Sequence, residues 1–306
     1  PAFPDNGRTV FKGYLFAGNV LLNESGMQNH PLTPMQDANL VRVMQAQTQR
    51  PVGLIDHTTV AQGEAAIRAR IAALRAEGVG VAIVDAASNA DLLRMGPALS
   101  DLPLLTAGSG VAIGLPANFG LAPSLQASQL PPARGLQALV SGSCSVATNG
   151  QVANFKALGR PARAIDPASL MNGHSDAVVQ AVLAWAKPLL QDGPVLVYST
   201  AEPEAVKQVQ AQLGVAEAGA LVEHALAAVA RGLVEAGVQQ LVVAGGETSG
   251  ACVQALDLAQ LQIGPQIDPG VPWCFAPNAT GGVHIALKSG NFGTADFFSK
   301  AFTVLA

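Results

Sequence analysis

The chain reads as an α/β protein of two domains, each with a mainly parallel sheet flanked by helices in a Rossmann-like, three-layer arrangement. Three observations predict this. Short apolar runs of strand length alternate with longer segments of helical period. The 306 residues are 49% hydrophobic and only 12% charged, as sheets covered on both faces require. Glycine-bearing loops follow several of the apolar runs, where parallel strands hand over to helices.

Taken in order, residues 8–16 read as a strand or hairpin, followed by a polar loop over 23–35. Residues 51–57 read as a short buried strand. A helix is expected over 60–77, with Val60, Ala65, Ile67, Ile71 and Leu74 on its apolar side, Arg68, Arg70 and Arg75 on its wet side, and Gly78 as its stop. A strand over 79–85, a helix over 88–99 and a strand over 102–106 follow. A sheet of three strands is small and poorly covered, so this first domain, residues 1–128, reads as lacking its beginning. The stretch 122–135, with three prolines and two serines, is the expected linker. In the second domain, residues 135–306, strands are expected near 137–141, 162–165, 194–199, 239–244 and 283–287. Helices are expected near 147–158, 175–191, 203–212, 216–236 and 249–257.

Composition also excludes several functions. The net charge is −4 with no Lys/Arg cluster, which argues against a nucleic-acid partner. No run of about eighteen apolar residues suits a membrane span, and the first residues lack the blocks of a signal peptide. Three scattered cysteines, Cys144, Cys252 and Cys274, fit reduced thiols in a cytoplasmic protein. No metal-ligand spacing is present, so no resident metal site is expected.

Four segments carry candidate chemistry. The first is Gly245-Gly246-Glu247-Thr248-Ser249-Gly250, after the apolar run 241–244. It reads either as a phosphate cradle at a helix N-terminus or as an ordinary strand–turn–helix with Thr248 or Ser249 as N-cap. It matches neither the P-loop nor the dinucleotide fingerprint, which counts against a dehydrogenase. The second is Lys288-Ser289-Gly290-Asn291-Phe292-Gly293. There Lys288 is a candidate point cation for phosphate and Gly290 lets a ligand lie against backbone; taken alone, this segment reads better as a glycine-rich turn with an exposed lysine. The third is Ser141-Gly142-Ser143-Cys144-Ser145, a tight turn better suited to lining a ligand than to supplying a nucleophile. The fourth is the loop around His30-Pro31-Leu32-Thr33-Pro34-Met35, whose prolines fix Ser25, His30 and Thr33 either as binders of a polyhydroxy acid or as a rigid interdomain or dimer contact.

Together these motifs resemble the four-carbon acid sugar kinase family, nearly end to end. The resemblance is carried by Asn6-Gly7-Arg8-Thr9, Glu24-Ser25-Gly26-Met27, His30-Pro31-Leu32-Thr33-Pro34-Met35 and Ser141-Gly142-Ser143-Cys144-Ser145. It continues through the 245–250 segment, Ile267-Asp268-Pro269-Gly270-Val271-Pro272-Trp273, and Lys288-Ser289-Gly290-Asn291-Phe292-Gly293. It implies an ATP-dependent kinase with an N-terminal sugar-acid domain and a C-terminal nucleotide domain. The acceptor it implies is 3-oxo-tetronate, with threonate and erythronate as sibling substrates; a non-catalytic nucleotide- or sugar-acid-binding protein is the competing expectation. By the resemblance, Ser143, Gly245, Gly246, Glu247, Thr248, Ser249 and Gly290 contact ATP. Mg²⁺ is expected to bridge the phosphate oxygens. The sequence does not single out a general base; Glu247 and Lys288 are the catalytic candidates. The family opens with an Asp-Asp-x-Thr-Gly-type loop in a segment of about a hundred residues, the size of a small domain, for which this sequence has no counterpart.

Overall fold

The computed structural model describes residues 2–29, 33–170, 174–200, 214–277 and 281–305. The chain forms two compact units, Pro1–Pro123 and Ser124–Ala306.

In the first unit, β1 (Arg8–Phe11), β2 (Tyr14–Ala17) and β3 (Val20–Leu21) form an antiparallel sheet. Lys12 and Gly13 join β1 to β2 with φ of 52° and 78°, the doubly left-handed turn that suits the twist of a two-residue hairpin. The fully buried carboxylate of Asp85 holds that turn by accepting the N–H groups of Lys12 (2.6 Å), Gly13 (2.9 Å) and His57 (2.9 Å). Next come α1 (Leu40–Gln45), β4 (Val52–Ile55), α2 (His57–Ala61), α3 (Glu64–Ala76), β5 (Val81–Val84) and α4 (Asn89–Ala98). β4 and β5 pair in parallel, and Val10, Leu15, Ile55, Val60, Ile67 and Leu92 join the elements in one core.

Two expectations for this unit need correction. The helix expected over 60–77 is two helices, because Gly63 adopts φ +90° between α2 and α3. The strand expected over 102–106 is absent. Leu102 and Leu105 pack on the core while Leu104 is 79% exposed; a spacing of three breaks the two-residue period of a strand, and Pro103 has no N–H to offer a ladder.

The second unit contains β6 (Leu136–Ser141), α5 (Val146–Ala157), β7 (Ala162–Ala164), α6 (Ser175–Leu189), β8 (Val195–Tyr198), α7 (Val215–Glu235) and β9 (Val238–Ala244). It continues with α8 (Gly246–Ala255), β10 (Gln262–Asp268), β11 (Val271–Ala276), β12 (Val283–Lys288) and α9 (Phe297–Thr303). The helix expected over 203–212 lies outside the described residues. The seven strands run in the order β10-β11-β12-β9-β6-β8-β7. The pairs from β12 to β7 are parallel, and β10 and β11 add an antiparallel edge.

Alternate residues of the central strands serve opposite faces. Leu241 and Val243 of β9 pack toward α6, α7 and α8, whereas Val242 and Ala244 pack toward α5 and α9. Burial on both faces explains why these strands read as unbroken apolar runs. The edge hairpin lacks a strand signature in the sequence because Gly264 and Pro265 interrupt β10, and its ladder carries register shifts. Among the described residues, no helix is long and apolar enough to cross a membrane.

Candidate functional site

Three loops meet at the carboxyl ends of the adjacent strands β12, β9 and β6. From β6 the chain leaves through α5, on one face, toward β7; from β9 it leaves through α8, on the other face, toward the opposite edge. Divergence of this kind opens a crevice at the strand ends, where doubly wound sheets take their ligands. The loops are tied by backbone bonds. Gly142 and Ser143 donate to the Ala244 carbonyl at 3.0 and 3.2 Å, and Gly245 donates to the Lys288 carbonyl at 2.8 Å.

The glycines here are dictated by space. A Cβ on Gly142 would lie 2.3 Å from Thr248 Oγ1, one on Gly245 2.6 Å from the same atom, and one on Gly290 2.2 Å from Ser143 Oγ. Gly245 also has φ +128°, a conformation that side chains disfavour. By contrast, no atom of the described residues lies within 4 Å of a Cβ placed on Gly246, so this end of α8 is uncovered by them. The helix begins three residues before the expected 249, with Gly245 as N-cap. Its ladder starts with Ser249 N–H donating to the Gly245 carbonyl at 2.9 Å, leaving the N–H groups of residues 246–248 outside it. Thr248 and Ser249 are buried in the first turn, and Ser249 Oγ has no hydrogen-bond partner among the described residues.

The third loop is fastened from below. The Gly290 carbonyl accepts from Ser145 Oγ (2.6 Å), Thr148 Oγ1 (2.8 Å) and Lys288 Nζ (3.1 Å). Lys288, expected as an exposed lysine or a point cation, is fully buried, and its ammonium also donates to Thr148 Oγ1 and the Ser289 carbonyl. Burial pushes its pKa down to about 7. Gln151 of α5 holds the rest of the loop, with Nε2 at 3.0 to 3.1 Å from the carbonyls of Phe292, Gly293 and Thr294. Asp268 at the end of β10 receives the Thr294 N–H (2.9 Å) and an ion pair from Lys300 of α9.

Glu223 of α7, which no sequence motif marks, also reaches the site. Its Oε1 accepts from Thr248 Oγ1 at 3.2 Å, and its buried Oε2 has no partner among the described residues. Burial pushes this carboxyl up to about 7; the Thr248 hydrogen bond opposes the rise and the nearby Glu247 charge adds to it. A signal was present, since Glu223 shares an i, i+3, i+4, i+7 stripe with the buried Leu226, Ala227 and Ala230. Glu247 itself is exposed. Cys144 is half-buried, its Sγ 3.8 Å from the Gly142 carbonyl.

Of the residues expected on the acceptor side, Ser25 caps a 3-10 turn and donates its hydroxyl to the Leu22 carbonyl at 2.7 Å. Thr33 is exposed, and His30 lies outside the described residues. The same unit has a polar cluster that the sequence did not reveal. Asp56 and Asp85 follow β4 and β5, with Lys12 paired to Asp56 and His57 Nε2 3.5 Å from Asp91. The Lys12 hydrogen bond holds the Asp56 carboxyl down at about 2.

Residues 1–115 match the model of a sugar-binding N-terminal domain, and residues 138–298 match that of a nucleotide-binding C-terminal domain. A 3-oxo-tetronate kinase of Pseudomonas fluorescens is 57% identical over 100% of this chain and 71% of its own length. The chain belongs to the four-carbon acid sugar kinase family. A 3-oxo-tetronate kinase of Burkholderia multivorans is 56% identical with the same coverage. A solved structure from Salmonella typhimurium is 42% identical with a TM-score of 0.75, over 98% of this chain and 71% of that one. One from Haemophilus influenzae is 39% identical with a TM-score of 0.65, over 100% and 73%.

Proposed function

We propose that this chain is an ATP-dependent kinase whose acceptor is 3-oxo-tetronate, phosphorylated on its terminal hydroxyl to the 4-phosphate. The observation that carries the ATP half is the crevice at β6, β9 and β12. Three glycines there are crowded at the Cβ position, and among the described residues the helix start has no neighbour at Gly246 and the buried Ser249 hydroxyl has no partner. That combination suits a polyanion, since N–H groups and hydroxyls can replace its hydration at the positive end of α8. In this reading Ser143, Gly245, Gly246, Glu247, Thr248, Ser249 and Gly290 hold the nucleotide. Among the described residues no group of three or more carboxylates, histidines or cysteines forms a metal cage, so Mg²⁺ would enter with the nucleotide, held by phosphate oxygens and water. Bound there, it would neutralise charge on the transferring phosphoryl group.

The protein's own contribution is positioning. The loop at Gly290, fixed by three donors, and the loop at Gly245, fixed to β12, hold their backbone groups still while the γ-phosphate lines up with the acceptor hydroxyl. Lys288, buried under the Gly290 loop, suits a part in shaping that loop. Glu247, exposed in the first turn of α8, is the candidate to receive the acceptor proton. The acceptor half rests on the similarity to 3-oxo-tetronate kinases and on the sugar-binding match over residues 1–115. Ser25, His30 and Thr33 are proposed contacts, together with the polar ends of β4 and β5. A cytoplasmic setting agrees with three cysteines that form no disulfide.

Titration calorimetry with ATP, ADP and adenosine tests the nucleotide half. Binding that strengthens with each added phosphate is expected. Equal affinity for ATP and adenosine, or no binding of either, would contradict it.

A further inference from the structure

The Thr248 hydroxyl sits where two of the loops close. The Cβ positions of both Gly142 and Gly245 fall within 2.6 Å of its oxygen, so only backbone without side chains can pass it. Its single hydrogen is given to Glu223 Oε1 at 3.2 Å, while Glu223 Oε2 is sealed from solvent with no hydrogen-bond partner among the described residues. A hydroxyl donates once. While Thr248 donates to an ionised Glu223 it has no hydrogen for a phosphate oxygen, and the carboxylate adds a negative charge beside the anion.

We infer that Glu223 is a positioning residue for the phosphate loop. The nucleotide binds with Glu223 protonated, the carboxyl donating to Thr248 Oγ1 and the Thr248 hydrogen turning to a phosphate oxygen. One proton is taken from solvent and one hydrogen bond reverses direction; no covalent bond changes. The inference rests on the nucleotide reading of this crevice.

The surroundings of Glu223 favour the protonated form. From α8 it faces Glu247 and the Cys252 thiol, which burial and the Glu223 charge push up to about 12. The other elements packed on α7, namely α6, the turn Pro167–Leu170, β6 and β9, contribute apolar residues to the core that α7 enters through Leu226, Val229 and Ala230. The charged residues of α6, Asp176 and Lys187, lie in its first and last turns. On α7 itself, Glu217, His224 and Arg231 are exposed. With Glu223 already at about 7 in the empty site, an arriving phosphate pushes it higher. Lys288 titrates in the same range on the β12 side of the crevice, so the test holds Lys288 constant.

The experiment is titration calorimetry of ATP binding near pH 8, in two buffers of different ionisation enthalpy, on the native protein, Glu223→Gln and Glu223→Ala. The native protein is expected to take up about one proton more per ATP than either variant, because only it carries the titrating carboxyl. Glu223→Gln, whose amide donates to Thr248 at any pH, is expected to bind like the native protein near pH 6. Relative to that variant, native affinity should fall by about tenfold per pH unit above the Glu223 pKa. Should the glutamine variant fail to fold, Glu223→Ala carries the comparison, and absence of proton uptake by the native protein alone is already decisive. Normal ATP binding with equal uptake in all three proteins overturns the inference and leaves the nucleotide reading standing. Absence of ATP binding by the native protein overturns both.

Discussion

Gly246→Asp separates the fold from the ligand. Gly246 is the first residue of α8, its backbone is not left-handed, and nothing among the described residues lies within 4 Å of the added Cβ. The fold therefore accepts the side chain. A carboxylate in the first turn also gains from the helix dipole by about 0.3–1 kcal/mol, and replacing a helical glycine removes a further penalty of a few tenths of a kcal/mol. Stability is expected to rise slightly, by up to about 1 kcal/mol. Binding is expected to collapse. At about 5 Å and an effective dielectric of about 20, the added charge costs roughly 3 kcal/mol against one phosphate charge, which is roughly 200-fold in affinity. Thermal melting and ATP titration on the same preparation read both quantities. A variant that melts like the native protein and binds ATP equally well would refute the placement of the phosphates at α8.

Other perturbations test the supports of the crevice. Lys288 has a depressed pKa, so its contribution to stability is full above its ordinary 10.5 and is lost as pH falls toward about 7. That fall corresponds to about 5 kcal/mol, against about 2 kcal/mol for the hydrogen bonds that Lys288→Met forfeits. The methionine variant should thus gain stability relative to the native protein as pH drops from about 10 to about 7, while binding ATP more weakly; urea unfolding that shows a pH-independent difference would contradict this. Gly290→Ala puts a methyl group 2.2 Å from Ser143 Oγ. It should lower ATP affinity by about tenfold and the melting temperature by a few degrees as Ser143 is forced to turn away, and unchanged affinity would remove Gly290 from the site. The same titrations on Glu223→Gln add its expected loss of linked proton uptake.

Much of the second unit was legible because its physics is local. β6, β9 and β12 are buried on both faces, so their composition alone marks them, and the glycines at 142, 245 and 290 follow them directly in sequence. What was not legible depends on neighbours far along the chain. Lys288 reads as a charged strand end, yet Thr148 and two carbonyls receive its ammonium inside the protein. Glu223 reads as one polar position in a long helix, and only the packing of α7 on α8 brings it to Thr248. α8 starts three residues before the position its sequence suggests, because Thr248 and Ser249 look like caps whereas Gly245 takes that position through its unusual φ. In the first unit, Pro103 and the exposed Leu104 interrupt what reads as an apolar strand, and the buried Asp85 gathers N–H groups from two distant segments.

The central claim is that ATP bound at β6, β9 and β12 phosphorylates a four-carbon acid sugar. ADP release from Mg·ATP tests it most directly, measured with 3-oxo-tetronate, threonate and erythronate beside the Pseudomonas fluorescens 3-oxo-tetronate kinase. Acceptor-dependent release, greatest with 3-oxo-tetronate and abolished by Gly246→Asp, is the predicted result. Release that no acceptor stimulates, with the Pseudomonas enzyme active alongside, would contradict it.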